Sequence, residues 1–314
     1  MRRAIAAIPD GVYRFEDVMD ADDPAEAPGG NASVRIAVTL TIAGEQATAD
    51  FSASADQVAG CINCPQAVTR SAVYYCFACL LDPGVPLNGG AFRPIEVRTR
   101  PGSVLAAQYP AAVVAGNTET SQRVVDVVFG ALAQALPDRI PAASCGTMSS
   151  VALGGVAGTS AWTYYETIGG GSGASPTGPG ASAIQCHMTN TLNTPAEAIE
   201  LQYPLRVMRF ERAMGTGGDG RHRGGDGIIR ELLSLADCEG TILADRRVSR
   251  PYGLCGGTPA SAGENTIASA TGMVTRLRGK TAVRLQAGET LRIRTPGGGG
   301  WGAAESSRKD RPIT

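Results

Sequence analysis

Four glycine clusters constrain this chain more than any other feature: "GG" at 154–155, "IGGGSG" at 168–173, "GTGGDGRHRGGDG" at 215–227 and "PGGGG" at 296–300. Each glycine inside a helix costs about 1 kcal/mol relative to alanine, so none of these stretches belongs to a helix interior. Two readings fit them. Tight turns of a β-rich region use glycine for its freedom at positive φ, and backbone amides freed of side chains can also close on an oxyanion or phosphate. The clusters match neither a Walker A loop nor a dinucleotide fingerprint, because no strand leads into a Gly-Lys-Ser/Thr turn and a helix. The chain is therefore not expected to bind ATP through either motif.

Between the clusters the pattern is that of an α+β protein, mixed and glycine-rich, with a mainly β C-terminal region. Short β signals ("SVRIAVTLTI", "QATADFSAS", "FRPIEVRT") fill an α+β subdomain over 1–100. Residues 101–205 form a helix and glycine-loop subdomain that carries the candidate site. Its helix, "GNTETSQRVVDVVFGALAQALPD", is capped in this reading by Asn117 or Thr118 and stopped by Pro137, with Glu119, Arg123 and Asp126 on the face opposite the apolar one. Alternation from "LRVMRF" to "AVRLQAGETLRIRTP" predicts a mainly β subdomain over 206–304, and 305–314 reads as a disordered tail.

Two Cys-x-x-Cys pairs, Cys61/Cys64 and Cys76/Cys79, raise the question of a zinc site. The segment between them, "PQAVTRSAVYY", has helical apolar spacing with Pro65 at its start, and a helix of that length holds the pairs about 18 Å apart. Packing cysteines on a core helix is the better reading, with no metal assigned to this chain. Two histidines are too few for a multi-histidine zinc centre. Twenty-eight basic and 29 acidic residues balance to a net charge of −1, which gives no reason to expect nucleic acid or an anionic membrane surface. No apolar run reaches transmembrane length and the cysteines sit in apolar surroundings, so a cytoplasmic protein is expected.

Polar density beside glycine marks the candidate site. In "CHMTNTLNTPAEAIE" (186–200), Thr194, Pro195 and Glu197 have the form of a capping box, while His187, Asn190 and Asn193 precede it. Cys186 and His187 are neighbours that point to opposite faces if extended, so they are not expected to pair. Glu166, in "TYYETIGGGSG", leads into a glycine loop, where a carboxylate of raised pKa would serve as a base or simply end a strand in water. Arg223 lies in the basic loop around His222, and Glu119 with Arg123 forms an i, i+4 pair that reads equally as a surface contact.

The strings "GNTETSQRVVD", "YYETIGGGSGA", "HMTNTLNTPAEAIE", "RHRGGDGIIREL" and "TPGGGGWG", in this order, resemble the hydantoinase B/5-oxoprolinase family over nearly the whole chain. The resemblance implies a large α+β subunit acting with a hydantoinase A-type partner of actin/sugar-kinase-like fold that holds ATP. In amidohydrolase members ATP phosphorylates the cyclic amide oxygen and water attacks the activated carbon. In the ketone carboxylases an enolate is carboxylated instead, and a non-catalytic scaffold is the third possibility. The family's N-terminal Asp/His segment, of the type "NDPY…GTH…D", has no counterpart here. This implies a C-terminal part (a split subunit, a truncated gene or a fragment), with any divalent metal in the missing part or the partner. Within such a hydrolase, polar density beside glycine makes Glu166 or His187 the expected general base. Asn117, Asn190 and Asn193 are expected as donors to carbonyl or phosphate, Arg123 and Arg223 as anion clamps, Glu119 beside the substrate, and Gly169, Gly170 and Gly171 as the pocket floor.

Overall fold

Alternating apolar residues over Ser33–Ala43 place one face of strand β2 in a core. In the computed structural model, which describes residues 1–21 and 33–304, β2 pairs antiparallel with β1 (Gly11–Asp20) and β3 (Gln46–Asp50). Strand β4 (Ile95–Arg98) adds in parallel to β3. The first helix, α1 (Arg2–Ala6), is a short lead-in, and α2 (Gln66–Ala78) and α3 (Ser121–Ala135) form the helical layer of this sheet. Gly130 of α3 is needed there, since a Cβ would lie 2.4 Å from the Phe15 ring of β1. One hydrophobic cluster, running from Ile5 to Ile140, unites the sheet with both helices. The helix expected between the two cysteine pairs is α2, and its 13 residues separate Cys64 from Cys79.

A second cluster, from Val151 to Ile293, lies between two antiparallel sheets. One has the order β12–β9–β5–β6, formed by Lys280–Leu285, Cys238–Leu243, Ser150–Ala157 and Ser160–Glu166. The other has the order β11–β10–β13–β8–β7, formed by Val274–Leu277, Glu264–Ala268, Thr290–Arg294, Gly227–Ser234 and Leu205–Ala213. Helix α4 (Ala196–Gln202) packs beside β7. The fold is α+β, as expected, with the C-terminal region mainly sheet. The β5–β6 hairpin stands where only glycine-dense loops are expected. The tail at 305–314 lies outside the described residues.

Most of the glycines are neither hairpin turns nor open amide cradles. They pack extended segments backbone against backbone. A Cβ on Gly297 would lie 2.3 Å from the Thr216 carbonyl oxygen, on Gly298 1.9 Å from Ser172, on Gly299 1.9 Å from Tyr252 and on Gly300 2.1 Å from Asp219. Successive residues thus face different neighbours, and the first and fourth return to the same one. That is the rotation of backbone with three residues per turn, where only glycine fits when neighbours close from every side. Hydrogen bonds run between segments: Gly298 N–H to Gly225 O, Gly299 N–H to Ala143 O and Gly300 N–H to Thr258 O, all within 3.0 Å. Bonded in this way, 142–145, 170–175, 216–225, 252–258 and 296–302 form one bundle.

Candidate active site

The loop from Cys186 to Thr194 spans the two hydrophobic clusters, and both of its ends are tied down by residues distant in sequence. At the C-terminal end the anchor is Glu166, the last residue of β6 and 5% exposed. Its Oε2 accepts the Tyr164 hydroxyl at 2.6 Å and the buried Arg230 guanidinium at 3.0 Å. Its Oε1 accepts the backbone N–H of Thr194 at 2.5 Å. Glu166 thus performs the return bond that a capping box would assign to Glu197, which is instead exposed, and α4 starts at Pro195 without a side-chain cap. With both oxygens occupied and a guanidinium beside it, Glu166 is an anchor, and the general-base role expected of it gives way to that. Next to it, Thr167 bonds Thr191 through their hydroxyls at 2.7 Å and accepts the Asn193 amide at 3.0 Å.

At the other end, His187 lies against the first cluster, with a left-handed φ of +58°. Its Nδ1 is 3.4 Å from the Tyr75 hydroxyl of α2, and its ring stands edge-on to Tyr75 with centroids 5.8 Å apart. Phe129 of α3 packs on it at 5.6 Å. The residue keeps a partly exposed edge, yet burial of the ring pushes the imidazole down to about 4, so it is neutral at pH 7. Cys186 faces elsewhere: its thiol lies beside that of Cys145, and its carbonyl accepts the Gln122 amide at 3.0 Å. The two neighbours do not pair, as expected. Asn190 is exposed, His187 is only partly so with its ring packed on the first cluster, and Asn193 holds the base of the loop.

The start of the long helix corrects several expectations. A π-helical turn over Gly116–Thr120 precedes α3, and neither Asn117 nor Thr118 caps it through a side chain. Gly116 permits that turn by lying against the Asn63 backbone, where a Cβ would be 2.3 Å from the carbonyl oxygen. Asn117 is exposed and remains available as a donor. Glu119, Arg123 and Asp126 do not form a solvent face, because α3 is buried continuously from Ser121 to Leu132. They belong to an ionic network between the two clusters. Arg123 meets Asp245 at 3.0 Å and Asp17 at 3.3 Å. Arg246 meets Asp17 at 2.6 Å and Asp126 at 2.8 Å, and Lys280 meets Asp245 at 2.6 Å. Asp20 receives the amides of Arg247, Val248 and Ser249. Arg123 is thus neutralised inside the protein and clamps no external anion.

Charge balance explains the protonation of that network. Arg123, Arg246, Arg247 and Lys280 face Asp17, Asp20, Asp126 and Asp245, so a fifth carboxylate would be in excess. Burial pushes Glu119 up to about 8, with Asp245 adding to the effect while Thr147, Lys280 and Arg247 oppose it. In strict geometry neither of its oxygens has a hydrogen-bond partner among the described residues, although the Thr147 hydroxyl lies beside it. At pH 7 Glu119 is a neutral acid. Burial also raises Asp126 to about 6 against the pull of Arg246 and Arg123. Asp245, which burial alone would raise, is held far below the carboxylate range by Lys280 and Arg123. The sequence signal for this network is "ADRRVSR" (244–250), three charges directly after an apolar strand, with Arg246 at φ +57°.

The remaining expected site residues have internal partners. Arg223 is half-exposed and lies 3.4 Å from both Asp219 and Asp226, so its charge is already compensated. His222 pairs with Trp301 across a β-bridge. The amides of Gly170 and Gly171 bond the carbonyls of Ile184 and Pro296, and a Cβ on Gly169 would meet the Ile184 backbone at 2.8 Å. These glycines build a wall with no free amides at 170 and 171 to cradle an anion. A hollow of about 390 Å³ beside Gly154, Asp237 and Arg284 and one of about 550 Å³ beside Arg14, Glu16 and Arg35 are lined by none of the expected site residues. Among the described residues no group of three or more His, Cys, Asp or Glu side chains is arranged to hold a metal ion.

The hydantoinase B/oxoprolinase sequence profile matches residues 1–304. The chain belongs to that family. The 5-oxoprolinase 1 of Arabidopsis thaliana is 42% identical over 270 residues, which cover 86% of this chain and 20% of the relative. The B component of a putative D-/L-hydantoinase of Pseudomonas sp. strain NS671 is 33% identical over 96% of this chain and 52% of its own length. This hydantoinase B family chain therefore spans about a fifth to a half of these relatives. In fold it superposes on the ATP-dependent caprolactamase of Pseudomonas jessenii with a TM-score of 0.83 at 24% identity, covering 96% of this chain and 53% of that one. An acetone carboxylase in its nucleotide-free structure gives the same TM-score at 17% identity, with 96% and 47% covered. None of the described helices is long and apolar enough to cross a membrane.

Proposed function

We propose that this chain is the C-terminal part of an ATP-dependent cyclic-amide hydrolase subunit of hydantoinase/5-oxoprolinase type. The observation that carries the reading is the 42% identity to a 5-oxoprolinase over most of this chain. The reaction site is the Cys186–Thr194 loop, with Asn117 a further outward-facing amide. Glu166 and Thr167 hold the base of the loop rigid, and His187 and Asn190 meet the reacting carbonyl and the water that opens the ring. The occupied amides of Gly170 and Gly171 do not fit a nucleotide on this chain, and Gly279-Lys280-Thr281 leads into strand β12 rather than a helix, with its lysine bound to Asp245. ATP is therefore assigned to a kinase-like hydantoinase A-type partner in the cytoplasm, and a divalent metal to that partner or to the part of the family fold lying outside this chain.

The test is product analysis on the assembled enzyme supplied with ATP. Opening of 5-oxoproline or hydantoin without bicarbonate is the expected result. ATP consumption that requires bicarbonate and a ketone would replace hydrolysis by carboxylation. Co-purification with the partner and turnover that both survive loss of His187, Asn190 and Asn117 would reduce the chain to a scaffold.

A further inference from the structure

We propose that Tyr75 is a positioning residue for His187: its hydroxyl donates to Nδ1 and fixes the neutral ring as the tautomer that presents Nε2–H to a substrate oxygen. This rests on the reading that His187 serves the hydrolytic site. A neutral imidazole has one lone-pair nitrogen and one N–H, so whatever engages Nδ1 decides what Nε2 does. Tyr75 Oη lies 3.4 Å from Nδ1, a long contact of the kind that shortens when substrate orders a site. The Tyr75 hydroxyl also hydrogen-bonds the Cys79 thiol, with Cys76 and Cys186 nearby, and a thiol sulfur is a weak acceptor beside an imidazole nitrogen. The phenolic proton is therefore better placed on the imidazole.

Packing leaves the ring little freedom. Tyr75 stands edge-on at 5.8 Å and 70°, and Phe129 closes at 5.6 Å from α3. Those helices bring Tyr75, Cys76, Cys79 and Asp126 towards this region, yet among the described residues no charged side chain acts on the ring. Without a counter-charge it has no means of stabilising an imidazolium. The left-handed backbone of His187 is disfavoured for a residue with a Cβ and persists where surroundings over-determine it, as this aromatic clamp does. A ring locked with Nε2–H is a hydrogen-bond donor to oxygen that gains negative charge, comparable to other neutral histidines that polarise a carbonyl. Such a ring cannot take the proton of the attacking water, so the general-base role expected of His187 passes to another group.

The chain has only two histidines, which makes the tautomer directly readable. In the full chain labelled with ¹⁵N-histidine, and with H222Q used to assign the signals, His187 is expected to show protonated Nε2 and unprotonated Nδ1 at neutral pH. A free imidazole also favours that form, so the discriminating signal is the change on Y75F. The Nδ1 resonance should move as it loses its donor, with thermal melting reporting that the fold is kept. In the assembled enzyme Y75F should lower kcat roughly tenfold at unchanged KM, the loss of one orienting hydrogen bond. An Nδ1–H tautomer, or an Nδ1 resonance unmoved by Y75F, overturns the contact. Wild-type kcat in Y75F, where H187Q has lost turnover, overturns the positioning role alone. Wild-type turnover in H187Q overturns the site reading and the positioning role together, and leaves the spectra to judge the contact.

Discussion

His187 carries its burial without a counter-charge, whereas Glu119 carries its burial as a neutral acid, and the two give stability opposite dependences on pH. For His187 the folded pKa, about 4, lies below the ordinary value of 6.5. The unfolded chain takes up the proton first, so stability is lost as pH falls from about 6.5 to about 4, by at most about 1.4 kcal/mol per unit. H187Q removes that loss, and urea denaturation at pH 7 and pH 5 should show a smaller difference for the variant than for the wild type. For Glu119 the folded pKa, about 8, lies above 4.5, so the unfolded chain releases its proton first and stability falls as pH rises between those values. E119Q, an isostere that is always neutral, should therefore gain on the wild type from pH 5 to pH 8. A constant difference over that range would mean that Glu119 is ionised in the fold.

At the scale of elements, the glycine bundle is where the chain's pattern was legible in kind but not in arrangement. Periodicity finds β2, β7, β8, β13, α2 and α3, because each has one apolar face or row. It does not find the bundle, since 142–145, 170–175, 216–225, 252–258 and 296–302 meet through backbone alone and carry no side-chain rhythm. It also misreads the polar face of α3: charges at helical spacing signal solvent unless opposite charges come from elsewhere, here from β1, β12 and the residues after β9. The capping box failed for a similar reason, as Glu166 reached Thr194 from 28 residues away. The bundle makes a sharp prediction. G298A places a methyl 1.9 Å from the Ser172 carbonyl oxygen and should cost about 3 kcal/mol or more. G178A, with nothing within 4 Å and no positive φ, should stay within about 0.5 kcal/mol of the wild type. Equal stability of the two variants by chemical denaturation would contradict the backbone packing.

Across the whole molecule, the ionic network joins the helix-covered first sheet to the two C-terminal sheets, and the Cys186–Thr194 loop crosses the same divide. R246M would leave Asp17 and the buried Asp126 to share the Arg123 guanidinium and should destabilise the fold by about 3–5 kcal/mol. R284M, which breaks an exposed pair with Glu239, should change it by less than about 1 kcal/mol. The kinship was readable from five short strings, while the positions of His187 and Glu166 relative to their partners were not, because those partners come from other parts of the chain. The central claim is that a rigid loop carrying His187 opens an activated cyclic amide. Its most direct test is kcat for bicarbonate-independent ring opening by the assembled enzyme with the wild-type chain and with H187Q. A fall of about a hundredfold or more, with ATP binding by the partner retained, is the predicted result; wild-type turnover in the variant, or ring opening that depends on bicarbonate, would contradict it.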